Sequence, residues 1–427
     1  MKIAIIGGGA AGMMAAATIN ENSPKTEVVL IEKNDSLGKK VIISGGGRCN
    51  VTTGIQDIST VLSKYPRGGK FLNSAIRQFS PQTTYAWFEE HGVPLKCEKD
   101  FRVFPVSNNG KDVVQAFEKV FHSPRCSSVE AGEHKTKILF NHQVIKITHN
   151  NKTGFLIYFK TQKPLPVDKV ILTLGGQAYR QTGSTGDGYS LAESLGHHIT
   201  ELAPSLSSLI TKEKWPNKIA GISFIKSTFS TKTTKKYTFS GPFVFTHWGI
   251  SGPAVFALSS LIAFEKFNAN KPLKISLDLL TDLKTEQIIT ELKKFITANP
   301  NKLFKHALQQ FVPLSLATIS LQQINMSENK KNNELSNKEL NQTVNWLKNI
   351  PLTIIDRKAG DEFVTAGGVD RTEVNPSTME SKLCPGLYFA GEILDIDGFT
   401  GGFNLQASWA TGRLAGENIS KIKNPLI

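Results

Sequence analysis

At 427 residues the chain is too long for a single hydrophobic core, and two or three domains are expected. Apolar content of 40% and charged content of 20% describe a globular protein, and the longest apolar run, near residues 255–264, is too short to cross a bilayer. The balance of 50 basic against 36 acidic residues leaves a net charge of +14, which suits phosphate-bearing ligands, acidic substrates, nucleic acid or an anionic surface. Cys49, Cys97, Cys126 and Cys384 are widely separated and form no C-x-x-C pair, which argues against a disulfide framework, a zinc site or a redox dithiol. A reducing cytoplasm is the expected compartment. A secretory signal is rejected because three glycines interrupt the N-terminal apolar stretch and only Lys2 precedes it.

Lys2-Ile3-Ala4-Ile5-Ile6 predicts a short apolar strand running straight into Gly7-Gly8-Gly9-Ala10-Ala11-Gly12. Gly7 permits the tight turn, Gly9 lets backbone approach a pyrophosphate, and Gly12 lets the next helix pack close to the sheet. That helix is expected over residues 10–20, with the N–H groups of its first turn, Ala11 among them, facing an anion. A second strand over 27–31 delivers Glu32, 20 residues after Gly12, where a carboxylate accepts from ribose hydroxyls; Lys33 follows it. Strand, turn, helix, strand and acid in register predict an adenine dinucleotide site.

Residues 41–49 read as a glycine-rich loop. In Ser44-Gly45-Gly46-Gly47-Arg48-Cys49-Asn50, consecutive glycines free backbone N–H groups for an anion or the edge of a planar ring, and Arg48 adds a rigid cationic fork. Lys40, just upstream, is expected to neutralise diphosphate. Residues 93–104 read as short extended segments and 112–121 as an amphipathic helix. Alternation over 142–148 and 155–160 predicts a hairpin, with Val144 a candidate cofactor contact. The apolar run 167–174 predicts a buried parallel strand ending in Gly175-Gly176, both placed at the cofactor. The glycine-dense segment 182–188 then leads into a helix near 189–195. Asp187 is either that helix's cap or part of a second loop approaching the cofactor, and Arg180 is a candidate substrate-binding group.

Residues 199–280 carry short strand-like runs separated by Pro, Gly, Lys and Thr, which predicts a β-rich insert. Within it, Thr246-His247-Trp248-Gly249-Ile250-Ser251-Gly252-Pro253 precedes an apolar helix, and His247 is a candidate proton donor. Residues 281–346 read as helical, with 327–341 a polar connector. Strand signals resume at 352, and 387–391 predicts a strand entering Gly391-Glu392-Ile393-Leu394-Asp395. Gly401-Gly402-Phe403-Asn404 then opens a final helix over 405–422. Backbone N–H groups at that helix start would face the carbonyl edge of a flavin, stabilising charge near N1 and O2, with Asp395 or Asp397 accepting from a ribityl hydroxyl.

With the 7–12 turn, the 45–50 loop, the 246–254 segment and the 386–404 stretch, the chain resembles bacterial NAD(P)/FAD-dependent oxidoreductases of the aminoacetone-oxidase type. These are flavoproteins with two dinucleotide-binding domains, distantly similar to fumarate reductases. The resemblance spans essentially the whole chain. It implies an α/β fold in which both chain ends build a Rossmann-like FAD-binding domain, interrupted by a β-barrel-like and a helical subdomain. The expected boundaries are 1–198, 199–280, 281–348 and 349–427. The expected activity is hydride transfer through flavin N5, with His247 and Arg180 as catalytic candidates and a small organic substrate. No second strand–G-x-G-x-x-G–helix unit is present for NAD(P)H, which would dock transiently. The alternative is a flavin-dependent tRNA-modifying or RNA-binding protein, motivated by the charge. It is disfavoured because the densest lysine cluster, Lys232, Lys235 and Lys236, is not interleaved with aromatics. No metal and no membrane partner are expected.

Overall fold

The computed structural model describes residues 1–23, 25–122, 136–358, 360 and 362–421. Cys126 lies outside them. The chain divides into two compact units, Met1–Ser205 with Phe363–Ile427, and Leu206–Glu362.

The first unit is organised by an apolar sheet. Its five strands lie in the order Leu387–Phe389, Lys169–Leu172, Lys2–Ile6, Glu27–Ile31 and Lys137–Leu139, and every pair is parallel. Near-continuous Ile, Val and Leu suit strands covered on both faces. The helices Ala10–Asn22 and Phe403–Ile419 pack against each other beside this sheet, so the C-terminus returns to the N-terminal turn. Small residues make that approach possible. A Cβ at Gly416 would come 2.8 Å from the Ala15 carbonyl oxygen, and one at Gly412 would fall on the Ala11 carbonyl. The hairpin Val144–Asn150 and Gly154–Phe159 is as expected, and Leu165–Val167 joins it in a separate three-stranded antiparallel sheet.

The second unit is a closed barrel of six strands in the order Leu209–Thr211, Gly249–Ser251, Lys236–Phe245, Ser223–Lys232, Leu273–Asp278 and Ile350–Arg357. The boundary expected at 348/349 is therefore displaced. Ile350–Arg357 pairs with both Leu273–Asp278 and Leu209–Thr211, and without it the barrel would not close. The first boundary also moves, because Ala203–Ser205 pairs with Val364–Ala366 inside the first unit. The β-rich and helical inserts read separately from the sequence share one apolar cluster. Phe229, Phe245 and Leu277 of the barrel are buried with Ile288 and Leu292 of helix Thr285–Ala298 and Val344 of helix Asn337–Lys348. Arg357 ends the last strand and donates to the carbonyls of Ile262, Ala263 and Glu265, satisfying the chain just beyond the C-terminus of helix Pro253–Leu261.

Two local expectations are revised. Residues 41–49 are not an open loop, since Lys39–Ile43 is a short helix and Ser44–Gly47 a tight turn through left-handed backbone at Gly45 and Gly46. The polar connector 327–341 contains the start of helix Asn337–Lys348. Ser336 Oγ accepts from the Glu339 N–H at 3.2 Å, and Glu339 Oε2 accepts from the Ser336 N–H at 2.9 Å, a reciprocal cap.

Candidate functional site

The N-terminal turn assigns a separate job to each glycine. Gly7 has φ +110°, and a Cβ there would lie 2.6 Å from the Thr173 carbonyl oxygen. At Gly12 a Cβ would fall on the Gly7 carbonyl and 2.7 Å from Thr173 Oγ1. Gly9 differs, for a Cβ there would meet nothing within 4 Å. The first helical bond runs from the Met13 N–H to Gly9 O, so the N–H groups of Ala10, Ala11 and Gly12 precede it at the positive end of the helix. The turn is thus closed against the sheet and open on the side where an anion would lie.

Glu32 sits at the end of its strand and is buried. Its Oε2 accepts from the Gly8 N–H at 2.8 Å, and its Oε1 accepts from the Asn34 N–H at 2.8 Å and Asn34 Nδ2 at 2.7 Å. A carboxylate offers about four acceptor sites, so three protein donors still leave room for a ribose hydroxyl. Lys33 Nζ pairs with Asp187 at 2.6 Å and Thr185 Oγ1 at 2.7 Å, fastening the 182–188 loop to the strand end. Burial pushes the Asp187 carboxyl up, but the Lys33 and Thr185 contacts outweigh it and hold it below its ordinary value. Asp187 is not the helix cap; Gly186 occupies that place, and Asp187 is the first helical residue.

Lys40 and Glu392, two expected cofactor contacts, pair with each other at 3.1 Å, with Ser184 Oγ 3.0 Å from Lys40 Nζ. Glu392 Oε1 accepts from the Thr365 N–H. Gly175 has φ +74°, and a Cβ at Gly176 would lie 2.5 Å from Thr365 Oγ1 and 3.0 Å from Glu392 Oε1. Val144 is buried at the start of the hairpin sheet, two residues after His142, whose N–H donates to Glu32 O at 3.0 Å.

The two glycine stations from opposite chain ends meet. With its amide turned to satisfy its neighbours, the Asn50 side chain accepts from the Gly402 N–H at 2.9 Å and donates to Thr52 O at 3.1 Å and Val103 O at 3.3 Å. Gln406, in the final helix, receives the Thr52 hydroxyl at 2.6 Å, and Trp409 Nε1 donates to Val51 O at 2.9 Å. Gly391 lies between the first and final helices, since a Cβ there would lie 2.9 Å from the Ala11 Cβ and 3.5 Å from Ser408 Oγ. Within the turn, Gly45 and Gly46 are left-handed at φ +57° and +72°, and Cβ atoms at Gly46 and Gly47 would meet nothing within 4 Å. Gly401 and Gly402 are also left-handed, a Cβ at Gly402 would fall on Thr52 backbone, and Asn404 clamps the turn through Gly398 N and O at 2.8 Å each. The N–H groups of Phe403, Asn404 and Leu405 precede the first bond of the final helix, from the Gln406 N–H to Gly402 O.

Several expected charges are committed within the protein. Arg48 pairs with Glu98 at 2.7 Å, its guanidinium 3.7 Å from the centroid of the Phe104 ring, rather than standing as a free anion fork. Ser44 Oγ donates to Val41 O. Cys49 is buried, its thiol pushed up to about 12 by desolvation, so it is no thiolate nucleophile. Asp395 pairs with Arg371 at 3.0 Å, and burial raises its carboxyl against the pull of Arg371 and Arg67. Asp397 is fully buried, held by Arg67 through two contacts and by Ser205 Oγ at 2.8 Å. Neither Arg67 nor Tyr65, whose hydroxyl donates to Phe403 O at 2.7 Å, carries a sequence motif. Their only signal is an aromatic and a cation in a polar stretch. Arg180 is exposed, its guanidinium 3.2 Å from Gln177 Oε1. His247 belongs to the second unit, exposed in the turn before Gly249–Ser251, with Nδ1 3.2 Å from Asn217 Oδ1.

A turn open at Gly9, a strand-end acid and an open glycine turn joined to a helix N-terminus fit the pyrophosphate, ribose and ring of FAD. Fold and site define an FAD-binding oxidoreductase. The chain belongs to the HI0933-like protein Rossmann domain family, whose model matches residues 1–418. It is 32% identical over 419 residues to a 3-dehydro-bile acid delta(4,6)-reductase of Clostridium scindens, covering 97% of this chain and 98% of that protein. It is 26% identical over 428 residues to a ribosomal RNA dihydrouridine synthase of Escherichia coli, covering 98% of each. Among solved structures, the open conformation of a flavocytochrome c3 fumarate reductase aligns with a TM-score of 0.47 at 15% identity, over 98% of this chain and 78% of that one. Among the described residues no helix is long and apolar enough to cross a membrane.

Proposed function

We propose that this protein is an FAD-dependent reductase that adds hydrogen across a carbon–carbon double bond conjugated to a carbonyl, drawing electrons from NAD(P)H that docks transiently. The observation that carries this reading is the junction of the 44–50 turn with the start of helix Phe403–Ile419, built from residues a nicotinamide site alone would not need. When bound there, FAD supplies hydride transfer at its N5. The chain's own part is to hold the cofactor. The N–H groups ahead of helix Ala10–Asn22 take the pyrophosphate and Glu32 takes the adenosine ribose. The N–H groups ahead of helix Phe403–Ile419 stabilise negative charge on the ring. Arg180, in the unit that carries the cofactor residues, is proposed to bind the substrate carbonyl.

The names of the two relatives support the bond type. A delta(4,6)-reductase of a 3-oxo compound and a synthase of dihydrouridine both describe saturation of a double bond conjugated to a carbonyl. A small enone is the first substrate reading. Uridine in RNA is the second, favoured by charge, because the second unit holds 21 of the 50 basic residues but only 12 of the 36 acidic ones.

The test is anaerobic titration of the yellow protein with NADH and NADPH, followed by an enone or a uridine-containing RNA. Bleaching by one nucleotide and recovery of colour on adding one substrate are expected. A flavin that stays oxidised with both nucleotides overturns the proposal. In Arg180→Gln, reoxidation by substrate should slow more than tenfold while reduction by NAD(P)H is retained.

A further inference from the structure

One corner of the barrel unit gathers an exposed aromatic and several cations from segments far apart in the chain. Trp248 is 48% exposed although tryptophan is usually well covered. Its backbone is pinned. Trp248 O accepts from the Thr211 N–H at 3.0 Å, the Thr246 N–H donates to Gly249 O at 2.8 Å, and the Gly249 N–H donates to Thr246 Oγ1 at 3.1 Å. Lys358 Nζ lies 3.7 Å from the centroid of the Trp248 ring, and its own N–H donates to Ser208 O at 3.0 Å. Lys212 follows Thr211, and Lys218 follows Asn217, the neighbour of His247; both lysines are exposed. Of the acids in these segments, Glu213 accepts from the Thr353 N–H at 3.0 and 3.1 Å, and Asp356, opposite Ile210, is exposed and accepts from the Arg357 N–H at 2.7 Å.

An exposed aromatic with a cation over one face offers its other face to a nucleobase and charge to the phosphates. We propose that this corner is a docking surface for single-stranded RNA, with Trp248 stacking a base and Lys358, Lys212 and Lys218 meeting the backbone phosphates. The inference rests on the RNA reading of the substrate and names the surface that would hold it. No basic run is needed in the sequence, because the barrel brings together strand ends and turns separated by more than a hundred residues.

Binding is measured without turnover, on the full-length FAD-loaded protein without NAD(P)H, by the anisotropy of a labelled single-stranded oligouridylate across a salt series. Affinity should fall steeply with salt, and binding should quench tryptophan fluorescence. Trp248→Ala should weaken binding about tenfold and remove much of the quench. Lys358→Gln should reduce the slope of log K against log salt by about 0.7. The flavin spectrum and melting temperature of each variant report folding, and Lys358→Gln carries the test if Trp248→Ala does not fold. Undetectable binding at low salt, binding unaltered in both variants, or polyphosphate competing as well as RNA of equal charge each overturns the docking surface. A flavin that NAD(P)H reduces normally in a protein that binds no RNA overturns the surface and leaves the reductase reading standing.

Discussion

Gly7, Gly9 and Gly12 are chemically identical, and their surroundings make opposite predictions for them. A Cβ at Gly9 meets open space, and its φ of −82° and ψ of −167° are extended values that valine adopts readily. Gly9→Val should therefore fold with a melting temperature near that of the parent and purify with depleted flavin, measured as the ratio of absorbance at 450 and 280 nm. Gly12→Ala should fail differently. Its methyl group would occupy the place of the Gly7 carbonyl oxygen, so helix and strand must separate, costing on the order of 3 kcal/mol or abolishing folding. If Gly12→Ala melts like the parent, the close-packing role is wrong. His91 supplies a pH-dependent counterpart. Its Nδ1 lies 2.6 Å from Trp87 O and its Nε2 3.4 Å from Glu21 Oε1, so only the doubly protonated ring satisfies both acceptors. The Glu21 contact first, then the Trp87 carbonyl, raise the His91 pKa above 6.5 against burial. Because the folded value exceeds the unfolded one, this stabilisation is complete below about pH 6.5 and fades as pH rises through the folded value. His91→Gln should lose about 0.5 kcal/mol relative to the parent at pH 6 and less at pH 8.5, read from denaturant midpoints, the small size reflecting partial exposure. A difference that grows with pH would contradict the assignment.

The crossing of helices Ala10–Asn22 and Phe403–Ile419 is the element that makes one site from two chain ends. Gly412 and Gly416 sit four residues apart, so both lie on one face of the final helix, where Ala11, Ala15 and Thr18 of the first helix meet them. Gly412→Leu should drive the helices apart. An expected loss of 3 kcal/mol or more should be accompanied by release of FAD, because the 401–404 turn moves with its helix. A stable, fully yellow Gly412→Leu protein would show that the crossing does not hold the site. At this scale the sequence was legible wherever structure is local. Strands Lys2–Ile6 and Glu27–Ile31 followed from apolar runs bounded by glycine and acid, and Gly110–His122 from its helical periodicity. The start of helix Asn337–Lys348 was hidden because its polar first residues resemble a linker, although Ser336 and Glu339 already spell a capping box. Contacts such as Asn50 with Gly402 and Arg67 with Asp397 join residues hundreds of positions apart, and no local pattern marks them. The motif residues indicated where a cofactor would lie, but not which of their charges other side chains had already matched.

Across the whole molecule, each unit carries its own apolar cluster. One is built from the parallel sheet and its helices, the other from the barrel and the helices between Thr285 and Lys348. Barrel closure depends on Ile350–Arg357 returning to Leu209–Thr211, a non-local pairing that separates the second core from the first by topology and not by a linker composition. Two cores predict two cooperative transitions in calorimetry. The residues proposed to hold FAD lie in the first unit, so FAD should stabilise that transition selectively, by about 2.7 kcal/mol at a free concentration of 100 times Kd. Gly9→Val should remove this shift while leaving the other transition where it was. Equal displacement of both transitions by FAD, or a single transition that moves as one, would show that the units unfold together and that cofactor binding energy is shared across the chain.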